Sequence, residues 1–191
     1  MSFNVALISL GCAKNLVDSQ IMLKLIMDED HKIVNDPSLA DIIIVNTCGF
    51  IESAKQESIN TIIEMGYHKK FNKCKVLIAA GCLSERYNEE LMDGLSELDA
   101  VIGTGDYRNI IEVINKTINE EKVIKYGNQE KIDIENMERF IDIKSSTAYI
   151  KIAEGCDNRC TYCVIPSIRG KYRSRKMEKI IEEANSLADK G

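Results

Sequence analysis

The sequence predicts an α/β fold in which an open parallel sheet is flanked by helices. Three observations support this: short apolar runs alternate with segments of helical periodicity, the runs are continuously apolar, and two of them end at Gly11 and Gly81. Strands that alternate with helices form parallel pairs joined by right-handed crossovers. Because the runs are continuous, we expect the strands to be buried on both faces.

The predicted elements alternate along the first part of the chain. The strands are expected at Val5–Leu10, Ile33–Val34, Asp41–Thr47, Lys75–Ala80 and Ala100–Ile102. The helices are expected at Asn15–Glu29, Ser53–Met65, Glu85–Met92 and Tyr107–Asn119. Ser53 is interpreted as the cap of the second helix and Gly66 as its stop signal.

Residues 122–146 are charged and lack a clear period, which is typical of a linker that could contain a hairpin. A further strand is predicted at Ala148–Ala153 and a helix at Met177–Lys190. One strand and one helix cannot bury a core of their own, so we expect the N-terminal fragment of a longer protein, with its last part loosely held. The expected domains are residues 4–121, a linker at 122–147 and the start of a second domain at 148–191.

The composition is that of an ordinary globular protein. The chain has 191 residues, of which 45% are hydrophobic and 29% charged, and no apolar run approaches the ~20 residues of a membrane span. A net charge of −5 argues against a non-specific nucleic-acid binder. Seven cysteines without a secretory signal indicate thiolate chemistry in a reducing cytoplasm rather than a disulfide framework.

Cys156, Cys160 and Cys163 lie within one short segment. Thiolates are soft ligands that select zinc, copper(I) or iron–sulfur clusters. A structural zinc site needs four ligands, and the two histidines, His31 and His68, are far away in the sequence. Three thiolates on a four-iron cluster leave one iron open to a small molecule, so the spacing favours a reactive cluster. The alternative is three unrelated buried cysteines.

A second set of cysteines follows the predicted strands. Cys12, Cys48 and Cys82 each come directly after a strand, and the carboxyl ends of parallel strands share one edge of the sheet. The sequence therefore predicts a second site with three thiolates, the alternative being small buried residues at strand ends. Cys74 precedes its strand and is interpreted as a structural or free thiol at the opposite edge.

The segment Gly155–Cys163 resembles the signature of the radical S-adenosylmethionine (radical SAM) superfamily, Cys-x-x-x-Cys-x-aromatic-Cys, with Tyr162 as the aromatic residue. The flanking sequences resemble its methylthiotransferase family. The segments that carry this second resemblance are Ser9–Ser19, Asn46–Ile51, Ala80–Cys82, Ala148–Gly155 and Val164–Arg175.

The resemblance implies a methylthiotransferase N-terminal domain followed by a linker and the first strand–helix unit of a radical SAM partial (β/α) barrel. It implies two 4Fe-4S clusters, one on Cys12, Cys48 and Cys82 and one on the three cysteines of the signature. It also implies that S-adenosyl-L-methionine binds the second cluster, with Tyr162 packed near the adenine or simply in the barrel core. It names no side chain as a catalytic residue.

The sequences around Cys12 and Cys48 are similar to those of the RimO-type branch of the family. That likeness implies radical transfer of a methylthio group to the β-carbon of an aspartate in the twelfth small-subunit ribosomal protein. The expected partners are this substrate, S-adenosylmethionine and a low-potential electron donor such as flavodoxin or ferredoxin, in the cytoplasm and without a membrane. The alternatives are a tRNA methylthiotransferase of the MiaB type, which would bind nucleic acid, and a non-catalytic iron–sulfur electron carrier. The chain by itself is expected to be inactive.

A basic run follows the signature. Such runs are most often solvated surface, and this one could face an acidic or phosphate-bearing partner. Its members are Arg169, Lys171, Arg173, Arg175 and Lys176.

Overall fold

The computed structural model describes residues 2–135, 138–141 and 147–189. Its main body is a six-stranded sheet with the order β2-β1-β3-β4-β5-β6, and every neighbouring pair is parallel. The open parallel sheet predicted from the sequence is therefore confirmed. The strands of this sheet are β1 (Asn4–Ser9), β2 (Lys32–Ile33), β3 (Ile42–Thr47), β4 (Val76–Gly81), β5 (Ala100–Ile102) and β6 (Val123–Lys125).

Five helices cover the two faces of this sheet in the described part of the chain. They are α1 (Ala13–Asp28), α2 (Glu52–Phe71), α3 (Cys82–Arg86), α4 (Asn88–Gly94) and α5 (Ile110–Ile118). Short 3₁₀ turns occupy residues 37–39, 107–109 and 129–131. No helix among the described residues is both long and apolar enough to cross a membrane.

The continuous apolar runs are explained by a core on each face of the sheet. Ile42 and Ile44 of β3 pack on the face covered by α1 and α5, whereas Ile43 and Val45 pack on the face covered by α2, α3 and α4. Every residue of β3 and β4 is buried. A central strand with helices on both sides must be apolar at every position, which removes the alternation seen in half-exposed strands.

Three expectations about the helices are wrong. Ser53 does not cap α2, because this helix begins at Glu52 and its N-cap residue is Ile51. Gly66 does not end α2, which continues to Phe71. A Cβ at Gly66 would lie 2.8 Å from the Cγ atom of Glu97, so this glycine permits a close approach rather than a stop. The single helix predicted at residues 85–92 is two helices, α3 and α4, which meet at Tyr87.

The predicted linker contributes a strand to the sheet. Residues 123–125 form β6, which extends the sheet beyond β5 with Ala100 opposite Val123. Only three residues pair here, and charged residues precede them, so the local pattern is too short to show a strand. Residues 136, 137 and 142–146 of the same stretch lie outside the described part of the chain.

The second segment, defined here as residues 147–189, is more structured than expected. The strand predicted at 148–153 is reduced to β7 (Ala153–Glu154), which pairs in an antiparallel manner with β8 (Arg173–Ser174). Between them lies α6 (Ile165–Arg169), and α7 (Met177–Ala188) follows. The lone unpaired strand inferred from the sequence is therefore wrong, because β8 covers one edge of β7.

Candidate functional site

The strand order creates a topological switch point between β1 and β3. The chain passes from β1 to β2 on one side and then returns to build β3, β4, β5 and β6 on the other. Ligands of open α/β sheets bind at this place, outside the carboxyl ends of the strands. The register places Ser9, Asn46 and Ala80 in one line across three neighbouring strands. The cysteines that follow this line by two or three residues, named here the switch-point thiols, are Cys12, Cys48 and Cys82.

Gly11 brings the first of these loops against the second. Its backbone adopts a left-handed conformation with φ of +84°. A Cβ at this position would lie 2.7 Å from the Cβ atom of Cys48 and 3.0 Å from its sulfur atom. The glycine is therefore needed for the contact between the loop before Cys12, which is exposed, and the buried Cys48.

Cys82 is the first residue of α3 and is buried. Its thiol donates to the Oδ1 atom of Asn15 at 3.4 Å. Burial raises the pKa of the Cys82 thiol, while the nearby guanidinium of Arg169 acts in the opposite direction and the neighbouring Cys48 raises it further. A positive charge beside a buried thiol favours its thiolate, which is the form that binds metals.

A buried amide network connects the loops that carry these thiols. The side chain of Asn15 donates to the carbonyl groups of Leu10 at 3.1 Å and Thr47 at 2.7 Å, so it spans the switch point. The side chain of Asn46 donates to the Asn15 carbonyl and to the Ser19 hydroxyl, both at 2.8 Å. These residues are absent from the sites predicted from the sequence. Their signal is polar side chains inside an apolar strand and on the buried first turns of a helix.

Ser58 of α2 fixes the second thiol from the other face. Its hydroxyl accepts from the backbone N–H of Cys48 at 2.9 Å and donates to the Cys48 carbonyl at 3.0 Å. The buried side chain of Ser58 therefore satisfies both the N–H and the carbonyl group of Cys48. The loop is held without using the sulfur atom, which stays free for a ligand.

The loop thiols, defined as Cys156, Cys160 and Cys163, lie on the segment between β7 and α6. Cys156 and Cys163 are partly buried and Cys160 is exposed. The ends of the loop are tied by bonds from the Cys156 N–H to the Gly170 carbonyl at 3.1 Å and from the Tyr172 N–H to Asp157 at 2.9 Å. Tyr162 is 88% exposed, so it does not pack into a core within the described residues.

A buried group of charges joins the loop thiols to the main sheet. Lys151 donates to Asp18 at 2.6 Å and to Glu154 at 2.8 Å, and Arg169 donates to Asp18 at 2.6 Å and lies 3.6 Å from Glu154. These residues, named here the interdomain ion network, carry two positive and two negative charges that compensate each other. Lys14 of α1 adds a bond to the Ala153 carbonyl at 2.9 Å.

The charges of this network shift the pKa values of its own members. Burial acts to raise the pKa of Glu154, but the cations Lys151, Arg169 and Lys14 outweigh it and lower this pKa to about 2. Burial also acts to lower the pKa of Lys151, which the carboxylates of Asp18 and Glu154 raise above its ordinary value. Both residues therefore remain charged although they are buried.

The basic run is largely not a solvated surface, which corrects the interpretation from sequence. Arg169 and Arg175 are buried. Arg173 donates to the carbonyl groups of Gln129, Glu130 and Ile132. Only Lys171 and Lys176 of this run are exposed. The arginines make internal contacts instead of facing solvent, because the five donors of each guanidinium can satisfy several acceptors at once.

Cys74 stands apart from both thiol sets. It precedes β4, is buried, and donates to the Val76 carbonyl at 3.3 Å. Burial raises the pKa of its thiol to about 11, which keeps it neutral. These features are those of a structural thiol at the edge opposite the switch point.

The donor sets fit an iron–sulfur group in their chemistry. All seven cysteines are free, and the segments that carry the two sets of three contact each other through Lys14 and Arg169. Within the described residues, no three Cys, His, Asp or Glu side chains already stand together as ligands of one metal ion. The side chain of Asn15 joins two of the switch-point loops, because it donates to the Thr47 carbonyl beside Cys48 and accepts from the Cys82 thiol.

Comparison with known proteins points to one kind of relative. The chain is 55% identical over 188 residues to the ribosomal protein uS12 methylthiotransferase RimO of Thermoanaerobacter sp. (strain X514), covering 98% of this chain and 43% of the relative. Proteins of the same name from Clostridium perfringens (strain SM101 / Type A) and Clostridioides difficile (strain 630) are 52% and 50% identical over 99% and 98% of this chain. The chain spans about 42% of the length of each of these two.

A family match covers the sheet and its switch-point thiols. Residues 4–103 match the uncharacterized protein family UPF0004. This range is more than half of the chain and includes β1 to β5 together with the loops of Cys12, Cys48 and Cys82. On this match the chain belongs to the protein family UPF0004.

Proposed function

We propose that this protein is a radical SAM methylthiotransferase that modifies the β-carbon of an aspartate in the ribosomal protein uS12. The observation that carries the proposal is the pair of three-thiol sets, one at the topological switch point and one on the loop docked beside it. The names of the relatives, which match nearly the whole chain at 50–55% identity, support the same substrate.

The thiol sets are the proposed ligands of two 4Fe-4S clusters. The switch-point thiols would hold one and the loop thiols the other, where the open position would take S-adenosyl-L-methionine. When bound, these groups supply the reductive cleavage of S-adenosylmethionine and the sulfur that is transferred. The exposed ring of Tyr162 lies one residue from Cys163 and would pack against the adenine.

The protein's own residues position these ligands and exclude water. Asn15 and Ser58 hold the backbone of the switch-point loops, so the sulfur atoms of Cys48 and Cys82 lie in a buried, preorganised setting. Lys14 and the interdomain ion network hold both ends of the signature loop against α1. The segment that carries the loop thiols is thereby held against the helix that follows Cys12, and transfer of sulfur between two centres requires such proximity.

The proposed partners follow from this chemistry. The reaction consumes S-adenosylmethionine and needs an electron of low potential, for which flavodoxin or ferredoxin is the expected class of donor. Both donors and ribosomal proteins belong to the cytoplasm, which is the proposed location. The substrate would reach the edge of the sheet that carries the switch-point thiols.

Iron content tests the ligand assignment. Anaerobic reconstitution with iron and sulfide should load two clusters, about eight iron atoms per chain. Changing Cys12, Cys48 and Cys82 to alanine should remove one cluster, and changing Cys156, Cys160 and Cys163 to alanine should remove the other. Cys74→Ala is the matched control and should lose none. A triple variant that keeps the iron content of the parent would refute the assignment.

Mass spectrometry tests the substrate. Because the chain by itself is expected to be inactive, a protein of the relatives' length that carries this sequence is expressed in a bacterial strain that lacks this modification, and both uS12 and tRNA are analysed. A methylthio group on an aspartate of uS12 is expected. Its appearance on a tRNA nucleoside instead would assign the tRNA reaction. If reduced protein loaded with both clusters does not cleave S-adenosylmethionine, an electron carrier would be the better description.

A further inference from the structure

The side chain of Arg169 links the second segment to the switch-point thiols. This arginine is the last residue of α6, on the second segment, yet its guanidinium is buried against the switch point. One arm, Nη1, donates to Asp18 at 2.6 Å. The other, Nη2, donates to the Oδ1 atom of Asn15 at 2.5 Å and lies 3.3 Å from the sulfur atom of Cys82. A residue that follows the loop thiols thus touches one of the switch-point thiols.

The contact is specific to the shape of the guanidinium. Burying a cation is costly unless it is paired, and Asp18 and Glu154 supply the pairing. Because that charge is balanced, Nη2 can donate to both the Asn15 side chain and the sulfur of Cys82. A lysine ammonium is a single point of charge and cannot reach these groups in the same geometry.

We propose that Arg169 is a positioning residue that completes the switch-point thiol site: its N–H donates to the sulfur of Cys82 and raises the reduction potential of the iron–sulfur group bound there. The inference rests on the proposed function, since it needs a cluster on the switch-point thiols. Hydrogen bonds and positive charge near cluster sulfur atoms stabilise the reduced, more negative state. Losing the guanidinium should therefore shift the potential to more negative values.

The proposal also assigns a task to the second segment. Arg169 reaches Cys82 only while the interdomain ion network is formed, because Asp18 and Glu154 fix its guanidinium. The reduction potential of the switch-point cluster would consequently reach its higher value only when the segment carrying the loop thiols is docked. If Arg169 only formed a structural ion pair, it would hold the segment in place without changing the reduction potential of the cluster.

The test uses this chain with Cys156, Cys160 and Cys163 changed to alanine, so that only the switch-point thiols can bind a cluster. Arg169→Met is compared with the parent and with Arg175→Met. Arg175 is the matched control, because it is a buried arginine of the same segment that donates to the Lys151 carbonyl and to Glu183. Each protein is reconstituted anaerobically with iron and sulfide and titrated with dithionite and mediator dyes while its electron paramagnetic resonance spectrum is followed.

A more negative potential in Arg169→Met, with the potential of Arg175→Met equal to that of the parent, is the expected result. Equal potentials in all three would overturn the proposal, as would an equal shift in both variants. Should Arg169→Met fail to fold, Arg169→Gln, which also removes the charge, serves in its place, and a potential unchanged from the parent would again overturn the proposal. If the parent itself binds no iron above a variant lacking all six cysteines, the proposed function fails rather than the role of Arg169.

Discussion

At the scale of single residues, the site depends on glycine and amide side chains as much as on cysteine. Gly11 lets the loop before Cys12 approach Cys48, and Asn15 ties the ends of β1 and β3 together. The thiols are predictable from the sequence because cysteines after strands form a recognisable pattern. Asn15 is not, because a polar residue at a buried helix position has the same local pattern as an exposed one.

Gly11→Ala should lower the free energy of unfolding by about 1–3 kcal/mol, because the new Cβ meets the Cys48 side chain at 2.7 Å in a left-handed backbone conformation. Gly94→Ala is the control, since this exposed glycine at the end of α4 has open space around it. It should be neutral or stabilising by about 0.5–1 kcal/mol. Urea unfolding measures both, and equal effects would show that the contact with Cys48 is not tight.

At the scale of elements, the second segment is attached to α1 by charge rather than by an apolar face. Asp18 on α1 receives both Lys151 and Arg169. The buried polar residues of α1, Asn15, Asp18 and Ser19, all lie in its first half, whereas those further along it, such as Ile21 and Ile26, are apolar. The helix thus binds the second segment through polar residues of its first half and packs on the sheet through its apolar residues.

Lys151→Met should lower the free energy of unfolding by about 3–5 kcal/mol, because it leaves Asp18 and Glu154 buried with one cation fewer. The control is Lys24→Met, which removes an ion pair with Asp28 on the more exposed side of α1 and should cost at most about 0.5 kcal/mol. Chemical denaturation of both variants decides the matter. A Lys151 variant as stable as the Lys24 variant would mean that the network is solvated.

At the scale of the whole molecule, the chain combines a parallel sheet with a second segment whose contacts reach far along the sequence. Asp18 and Arg169 are 151 residues apart. The charged stretch at 122–146 was expected to be a linker that could contain a hairpin. Instead β6 joins the sheet, and Arg173 binds carbonyl groups of residues 129–132. The expectation of a loosely held second segment does not fit these contacts.

Limited proteolysis should cut first within residues 122–146, where the composition is polar and unpatterned. After the cut, the two pieces should still elute together in gel filtration, because the interdomain ion network joins them. The pieces should separate in Lys151→Met, which serves as the comparison. Separation of the parent's pieces under native conditions would show that the network does not hold the second segment.

The sequence by itself determined the alternation of strands and helices and the position of each thiol after a strand. Both follow from short-range patterns, because hydrophobic periodicity and glycine signals act within a few residues. Only the tertiary structure decided the strand order that places Cys12 and Cys48 on either side of the switch point, the addition of β6, and the burial of Arg169. Strand pairing and charge pairing join residues that are distant in the chain, and the partner of a buried charge is not written beside it.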